Sequence, residues 1–533
     1  MRRIGHGDVG SIRPRRGMNG GASLFRSSAI LAEQPRESSF NYMFPELQAD
    51  EANLLPATPA MIDALKALAD LMTDAGEQAP TGGVKGPGDS DIPAAYTYLG
   101  QFLDHDITFD QNSASLETLA RPDFTPLASL GGLVNGRSAR LDLDSVYGGP
   151  RDLTAPARML VGKVTSLKGT EIPLLRPVGK SDRNDLPRQS RDDDPAEDRA
   201  AMIGDPRNDE NLIVAQLHTA FLKAHNSLVD DGLTYEQACR KIRRSYQSLI
   251  LNDFLTRICD PGVLEDVLRN GPSAWRLGAY APLFMPVEFS VAAYRFGHSM
   301  IRTLYDFNLN FEDAGLDQLF TFTALSGQLG EDVGLPPSDT LPDNWIIEWE
   351  RFLPIGARPP QMARTIDTRL TDFTFRLQDT FGRPEGADAP AGSEVQRIAP
   401  RLAMRNLLRG LLFRLPTGQA VARRMGLAPL EGAALLAALP RAQRAAATPF
   451  QTATPLWFYV LAEAGDPNGP NGNHLGPVGS RIVAETIWTL IRRSEDSILA
   501  PTDHGYASSE PPFTLADLIA LAARQDAPAP ALS

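Results

Sequence analysis

Residues 204–229 read GDPRNDENLIVAQLHTAFLKAHNSLV, and this stretch decides the fold. From Leu212 onward it contains no glycine or proline, and Leu212, Ala215, Leu217, Ala220, Phe221 and Leu228 recur at steps of three and four. That period predicts a long, largely buried helix. The polar lead-in, residues 204–211, runs straight into it. Asp205 or Asn208 suits the N-cap, where a side-chain oxygen accepts from an otherwise unpaired backbone N–H. The alternative reading places Arg207 and Glu210 at a buried site. His218 and His225 stand seven apart, beyond the i, i+4 spacing of a helical metal pair, and read as core or subunit-contact histidines.

The same period recurs outward from this segment. It marks residues 60–71 and about 235–258, while residues 92–107 read as a loop running into a helix. Residues 287–305, 399–415, 456–464 and 481–491 also read as helices. Long connectors bearing proline and glycine, such as 327–344 and 381–394, separate them, strand signals are few and short, and no internal repeat is evident. The fold expected is therefore mainly α, a single large helical domain with long loops and little β structure over residues 56–533. Residues 1–55, rich in Gly, Arg, Ser and Pro without periodicity, read as an N-terminal arm lying on the body or left disordered. The stretch DRNDLPRQSRDDDPAEDR at 182–199 has the mixed charge and prolines of a solvated loop.

Composition narrows the chemistry. Of 533 residues, 42% are hydrophobic and 22% charged, which is ordinary for a globular protein. Only two cysteines are present, so a disulfide framework and a four-thiolate metal site are excluded; Cys239 and Cys259 read as free thiols on helices. Any metal chemistry then rests on the seven histidines and on oxygen ligands. The net charge of −13 argues against nucleic acid as a partner. No apolar run reaches the ~18 residues of a membrane span, and the N-terminus lacks the apolar core of a conventional signal peptide. The expected location is cytoplasmic, or outside the cell by a non-classical route.

Four further segments carry unusual polar residues. In GQFLDHDITFD (residues 100–110), Gln101 and His105 are four apart and share a helical face, while Asp104 and Asp106 flank the histidine. SARLDLDSVYG (138–148) offers Ser138, Asp142 and Asp144 as hard oxygen donors of the kind calcium takes, without the spacing of an EF-hand loop. YRFGHSMI (294–301) sets His298 among apolar neighbours, and RNLLRG (405–410) puts Asn406 and Arg409 on one face. Each alone has a plain structural reading: a solvated acid, an Asp-rich turn, a core histidine.

Taken together with GDPRNDEN, these segments resemble the peroxidase–cyclooxygenase superfamily, the animal-type haem peroxidases that include myeloperoxidase and lactoperoxidase, and in particular bacterial members. The resemblance extends from about Tyr96 to at least Arg481. It implies haem b and calcium as cofactors, with hydrogen peroxide and a small reducing substrate (a halide, thiocyanate or phenol) as reactants. It implies an oxidoreductase that forms a ferryl intermediate, with a place in the response to oxidative stress. By position, His105 matches the distal histidine, Gln101 the distal glutamine and Arg207 the distal arginine. His298 matches the proximal iron ligand and Asn406 the asparagine that accepts a hydrogen bond from its second ring nitrogen. Arg295 and Arg409 match the residues that hold the haem propionates. Asp106, Ser138, Asp142 and Asp144, with the carbonyl of Arg140, match the calcium ligands. Asp104 and Glu210 match the carboxylates that become esterified to haem in mammalian members. Asn211 stands where myeloperoxidase has a methionine, so no sulfonium link is expected. A related fatty-acid dioxygenase requires a tyrosine three residues before the proximal histidine; Arg295 occupies that position and Tyr294 is one residue away. A non-catalytic scaffold of the same fold predicts loss of His105, Arg207 or His298, and all three are present.

Overall fold

A computed structural model describes residues 37–74, 85–110, 116–121, 124–167, 182–192, 198–278, 280–321, 339–375, 377, 386–502 and 505–526. Residues 1–36 of the N-terminal arm, most of the 327–344 connector and part of the 381–394 connector lie outside the described residues. The architecture is mainly α. The elements that matter for the site are α1 (Pro59–Asp70), α2 (Ala95–Ile107), α3 (Leu212–Asp230), α4 (Tyr235–Leu249), α5 (Leu402–Leu412), α6 (Leu456–Ala464), α7 (Pro477–Arg493) and α8 (Leu515–Ala523). Strands are short, the largest sheet having three, in which Ser38–Asn41 lies between Val134–Asn135, antiparallel, and Phe284–Pro286, parallel. Residues 38–44 thus pack on the body, with Phe40, Tyr42, Met43 and Phe44 buried.

The periodicity of α3 is realised as a helix buried along Leu212–Ser227. It crosses α2 and α4 at an aromatic junction: Phe102 stacks on Phe221 with ring centroids 4.8 Å apart, and Tyr246 meets both edge-on at 6.2 and 5.6 Å. Each such pair adds about 0.5–1.5 kcal/mol beyond its burial, so this junction fixes α2, and the polar residues on it, relative to α3. The segment beyond α4 continues helically through a π turn, Ile250–Phe254, to Ile258. Among the described residues no helix is long and apolar enough to cross a membrane.

Three expectations change. Residues 287–305 are not one α-helix: a π turn, Glu288–Ala292, passes into a 3₁₀ segment, Ala293–Met300, through Ala292 at φ −127°, ψ −78°, and Leu304–Tyr305 is a short strand. Apolar periodicity registers the buried face and is blind to this change of winding. Within residues 399–415 the helix is α5 alone, and Pro400, which cannot supply a backbone N–H, separates it from a short helix at Glu394–Ile398. The 182–199 stretch is not simply solvated, because Arg188 is buried and binds both Asp185 and Asp209. Burial holds against the Arg188 charge, and the two carboxylates overcome it, raising its pKa above the ordinary arginine value. Cys239 and Cys259 form no disulfide and are buried; Cys239 lies on α4 as expected, whereas Cys259 follows the helix end at Ile258 in extended conformation.

Candidate functional site

The 204–211 segment is a 3₁₀ turn, Pro206–Asp209, set before α3. Asp205 caps that turn by accepting from the Arg207 N–H at 2.9 Å. The cap of α3 is Asn211, whose Oδ1 accepts from Val214 N at 3.0 Å. The turn inserts one more start site than the sequence reading allowed, so neither Asp205 nor Asn208 caps the long helix. Gly204 makes the approach possible: a Cβ there would lie 2.2 Å from the Asp144 carbonyl and 2.9 Å from that of Ser145. The absence of a side chain brings the 138–148 loop against the turn, where Gly204 N donates to Ser145 O at 2.9 Å.

His105 and Gln101 project from α2 toward this turn. The Asn211 amide donates to Gln101 Oε1 at 3.0 Å, and His105 Nδ1 lies 2.9 Å from Asn208 Oδ1. Arg207 Nη2 donates to the carbonyls of His105 and Thr108 at 3.0 and 2.7 Å, and its guanidinium sits over the Phe109 ring at 4.8 Å. Asp205, fully buried, accepts from Arg207 Nη2 at 2.7 Å and from Arg137 Nε at 3.1 Å. Burial alone raises the Asp205 pKa; Arg137 and then Arg207 hold it far below the usual carboxylate range. For Arg207, burial opposes the charge, but Asp205, and then Asp104 and Glu210, raise its pKa. A permanently charged donor is thereby fixed beside His105 and close to Asp104 and Glu210.

The facing segment, Ala293–Met300, carries His298 and Arg295. Tyr294 Oη donates to the Gly100 carbonyl at 3.2 Å and so links this segment to α2. His298 Nδ1 lies 2.9 Å from the Asn406 amide nitrogen, while Arg295 Nη1 donates to Asn406 Oδ1 at 3.0 Å. The expected contact between His298 and Asn406 is there with its polarity reversed: a guanidinium only donates, so it takes the amide oxygen and leaves nitrogen toward the imidazole. Asp104 interacts with both Arg207 and Arg295, so the segments bearing His105 and His298 converge.

Arg295, Arg405 and Arg409 are buried together. Burial, and next Arg409, pull the Arg295 pKa down to about 9. Three crowded guanidinium groups are relieved by an anion, and a planar group bearing two carboxylates beside two imidazoles on converging segments satisfies that donor set. The residues present fit a haem.

The calcium candidates cluster around Asp106. Its carboxylate accepts from Leu143 N at 3.3 Å and from Ser145 N and Oγ at 3.4 and 3.2 Å, and Ser138 Oγ donates to Asp142 Oδ2 at 3.4 Å. Ala139 and Leu143 hold φ of 51° and 57°, a left-handed conformation that non-glycine residues adopt at a cost of order 1–3 kcal/mol. Burial, then Asp144, pushes the Asp106 pKa up to about 8; burial, then Asp144, brings Asp142 to about 6. Three carboxylates that repel one another suit a divalent cation. Among the described residues, however, no three or more His, Cys, Asp or Glu side chains are arranged to hold a metal ion, and no hydrogen bond places the Arg140 carbonyl in the group.

Asn208, Asp205 and Arg137 are site residues that sequence reading did not single out as such. The one local signal was their place in or near the Arg207 turn.

Comparison with known proteins agrees with this geometry. A family model described as animal haem peroxidase matches residues 129–321, the region that holds Arg207 and His298. Chorion peroxidase of Aedes aegypti is 27% identical over 194 residues, 34% of this chain and 23% of that protein. The matches span less than a quarter of the length of the curated relatives found. Peroxidase A of Dictyostelium discoideum superposes with a TM-score of 0.52 at 16% identity, covering 81% of this chain and 83% of that one. A fatty acid alpha-dioxygenase of Arabidopsis thaliana gives 0.51 at 13% identity over 84% and 72%. At these identities the two structures share the fold with this chain and nothing finer. Residues 129–321 are thus similar to the animal haem peroxidase family, and the fold of the chain is shared with a peroxidase.

Proposed function

We propose that the protein is a haem peroxidase: hydrogen peroxide takes two electrons and two protons to become two waters, and small donors such as halides, thiocyanate or phenols lose the electrons. The observation that carries this reading is His105, held by Arg207 and the Asn208 amide on a segment that converges with the one bearing His298. When bound, haem supplies an open iron position for peroxide and a store for its oxidising equivalents. His298 is the residue that would hold the haem iron, which would require its Nε2 lone pair and hence a proton on Nδ1. Asn406 must then turn its oxygen to that proton. It could do so if Arg295 exchanged the amide oxygen for a haem propionate, a stronger partner, and Arg409 would hold the second propionate.

On the other face, His105 takes the peroxide proton on Nε2 and returns it to the departing oxygen. An imidazole, which both accepts and gives up a proton readily, suits both transfers. Arg207 offsets the negative charge that develops as the O–O bond breaks, and Gln101 lines the same space. Asp104 and Glu210 are the carboxylates that would form esters with haem methyl groups, hydrogen peroxide taking up the two electrons that each ester requires. Asp106, Ser138, Asp142, Asp144 and the Arg140 carbonyl are the residues that would hold a calcium ion, which would tie the end of α2 to the 138–148 loop.

The alpha-dioxygenase likeness does not favour a second reading here. Arg295 stands three residues before His298, and Tyr294 has its hydroxyl on the Gly100 carbonyl. The test is to load the protein with haem, record the Soret band, and assay peroxide-dependent oxidation of bromide, iodide and a phenol beside peroxide-free oxygen uptake with a fatty acid. Peroxide-dependent turnover supports the reading. Oxygen uptake with the fatty acid and no peroxide turnover overturns it.

A further inference from the structure

His218 lies on α3, ten residues beyond Asn208, fully buried. Its Nδ1 is 2.9 Å from the Asn208 amide nitrogen, and the oxygen of the same amide is 2.9 Å from His105 Nδ1. We propose that Asn208 and His218 are positioning residues for His105, setting its ring orientation and its tautomer through this His105–Asn208–His218 chain. The inference rests on the peroxidase reading of His105 given above.

An amide offers an acceptor on one side and donors on the other, so its orientation dictates the protonation of both rings. With Oδ1 toward His105, that ring must carry its proton on Nδ1, and Nε2 keeps the lone pair that a base needs. Nδ2 then donates to His218, whose Nδ1 must be bare and whose proton sits on Nε2. Turning the amide over reverses both rings at once and leaves His105 protonated at Nε2, where it cannot accept from peroxide. The tautomer of the reacting histidine on α2 is therefore tied to that of His218 on α3.

Burial of His218 protects the productive arrangement. A charged imidazole donates from both nitrogens and would force the amide oxygen toward itself. The His218 site resists that charge: the ring packs edge-on against Phe102 at 6.1 Å, its Nε2 has no hydrogen-bond partner among the described residues, and burial pushes its pKa down to about 3. The Asn208 backbone is fixed as well, its N–H bound to Asp205 O at 3.1 Å. Since Arg207, the preceding residue, binds the His105 carbonyl, one short turn holds both the backbone and the ring of His105.

The test uses the full chain with 15N-labelled histidine. Seven histidines give a resolvable set of ring nitrogens, assigned by loss of signals in His105→Leu and His218→Leu. The expected pattern is a protonated Nδ1 and bare Nε2 for His105, and the opposite for His218. In the haem-loaded protein, Asn208→Leu keeps the volume and loses the acceptor, so the second-order rate constant with peroxide falls roughly 10- to 100-fold. Asn208→Asp keeps an acceptor toward His105 in either protonation state and stays within a few-fold of the unmodified protein. A merely structural role for Asn208 predicts the reverse order, with leucine tolerated and a buried acid damaging. A bare Nδ1 on His105, or an Asn208→Leu rate equal to that of the unmodified protein, overturns the proposal. Failure of the unmodified haem-loaded protein to react with peroxide sinks the peroxidase reading instead, and the nitrogen signals still decide the tautomer.

Discussion

Replacing Asp205 by Asn removes the one buried carboxylate that Arg137 and Arg207 share. All three side chains are buried, and Asp205 accepts from Arg137 Nε and Nη2 and from Arg207 N, Nε and Nη2. Asparagine retains a single acceptor oxygen and turns an NH₂ group toward guanidinium. Stranding a buried charge in this way costs about 3–5 kcal/mol. For a chain of 533 residues, an unfolding entropy of about 2.1 cal/mol/K per residue converts that cost to a fall of roughly 3–5 °C in thermal midpoint. The pH dependence has a definite sign. A carboxyl whose folded pKa is depressed adds stability that is present above its unfolded value of about 3.9 and is lost as the pH falls toward the folded value. The gap between the two proteins should thus be full at pH 7 and begin to close below about pH 4. Calorimetric scans from pH 3 to pH 7 on both proteins measure it. Midpoints within a degree of each other at pH 7, or a gap that widens in acid, would refute the assignment of Asp205 as the counter-ion of the site.

Further outcomes follow from the same geometry. Exhaustive chelation should lower both haem retention and the thermal midpoint by several degrees, with recovery on adding back calcium; unchanged values after chelation count against the Asp106–Asp142–Asp144 site. Cys239 and Cys259 are buried, and burial pushes the Cys259 thiol far above its ordinary range, so a thiol reagent should modify neither until denaturant is added. Rapid modification of the native protein would contradict that packing. Asn406→Leu should weaken haem retention and alter the absorption spectrum of the loaded protein, because His298 loses the group that fixes its tautomer; an unaltered spectrum and haem affinity would remove Asn406 from the axial-ligand environment.

Much of the molecule was legible because its information is local. Helix α6 was readable to the residue, and α1, α2 and α3 to within a few, since three- and four-residue apolar steps need no knowledge of partners. His105, Arg207 and His298 stood out by the spelling of the segments around them. What was not legible depends on groups remote in sequence. Arg188 reads as one more charge in a polar run until Asp209, 21 residues on, is seen to neutralise it. The winding of Ala293–Met300 leaves no mark on periodicity. Asn208 could be weighed only as a cap, because its two partners lie on different helices and meet only after the 3₁₀ turn has formed. The carboxylates near Asp106 were visible as a cluster, but their degree of assembly was not.

The central claim is that His105 and His298 serve opposite faces of one haem. Stopped-flow spectra of haem-loaded protein mixed with hydrogen peroxide test it most directly, with His105→Leu and His298→Leu alongside. The account predicts a rapid Soret change in the unmodified protein, a rate lower by roughly 10²- to 10⁴-fold in His105→Leu with haem still bound, and failure of His298→Leu to hold haem in the same form. Near-native kinetics in His105→Leu, or an unchanged spectrum in His298→Leu, would contradict it.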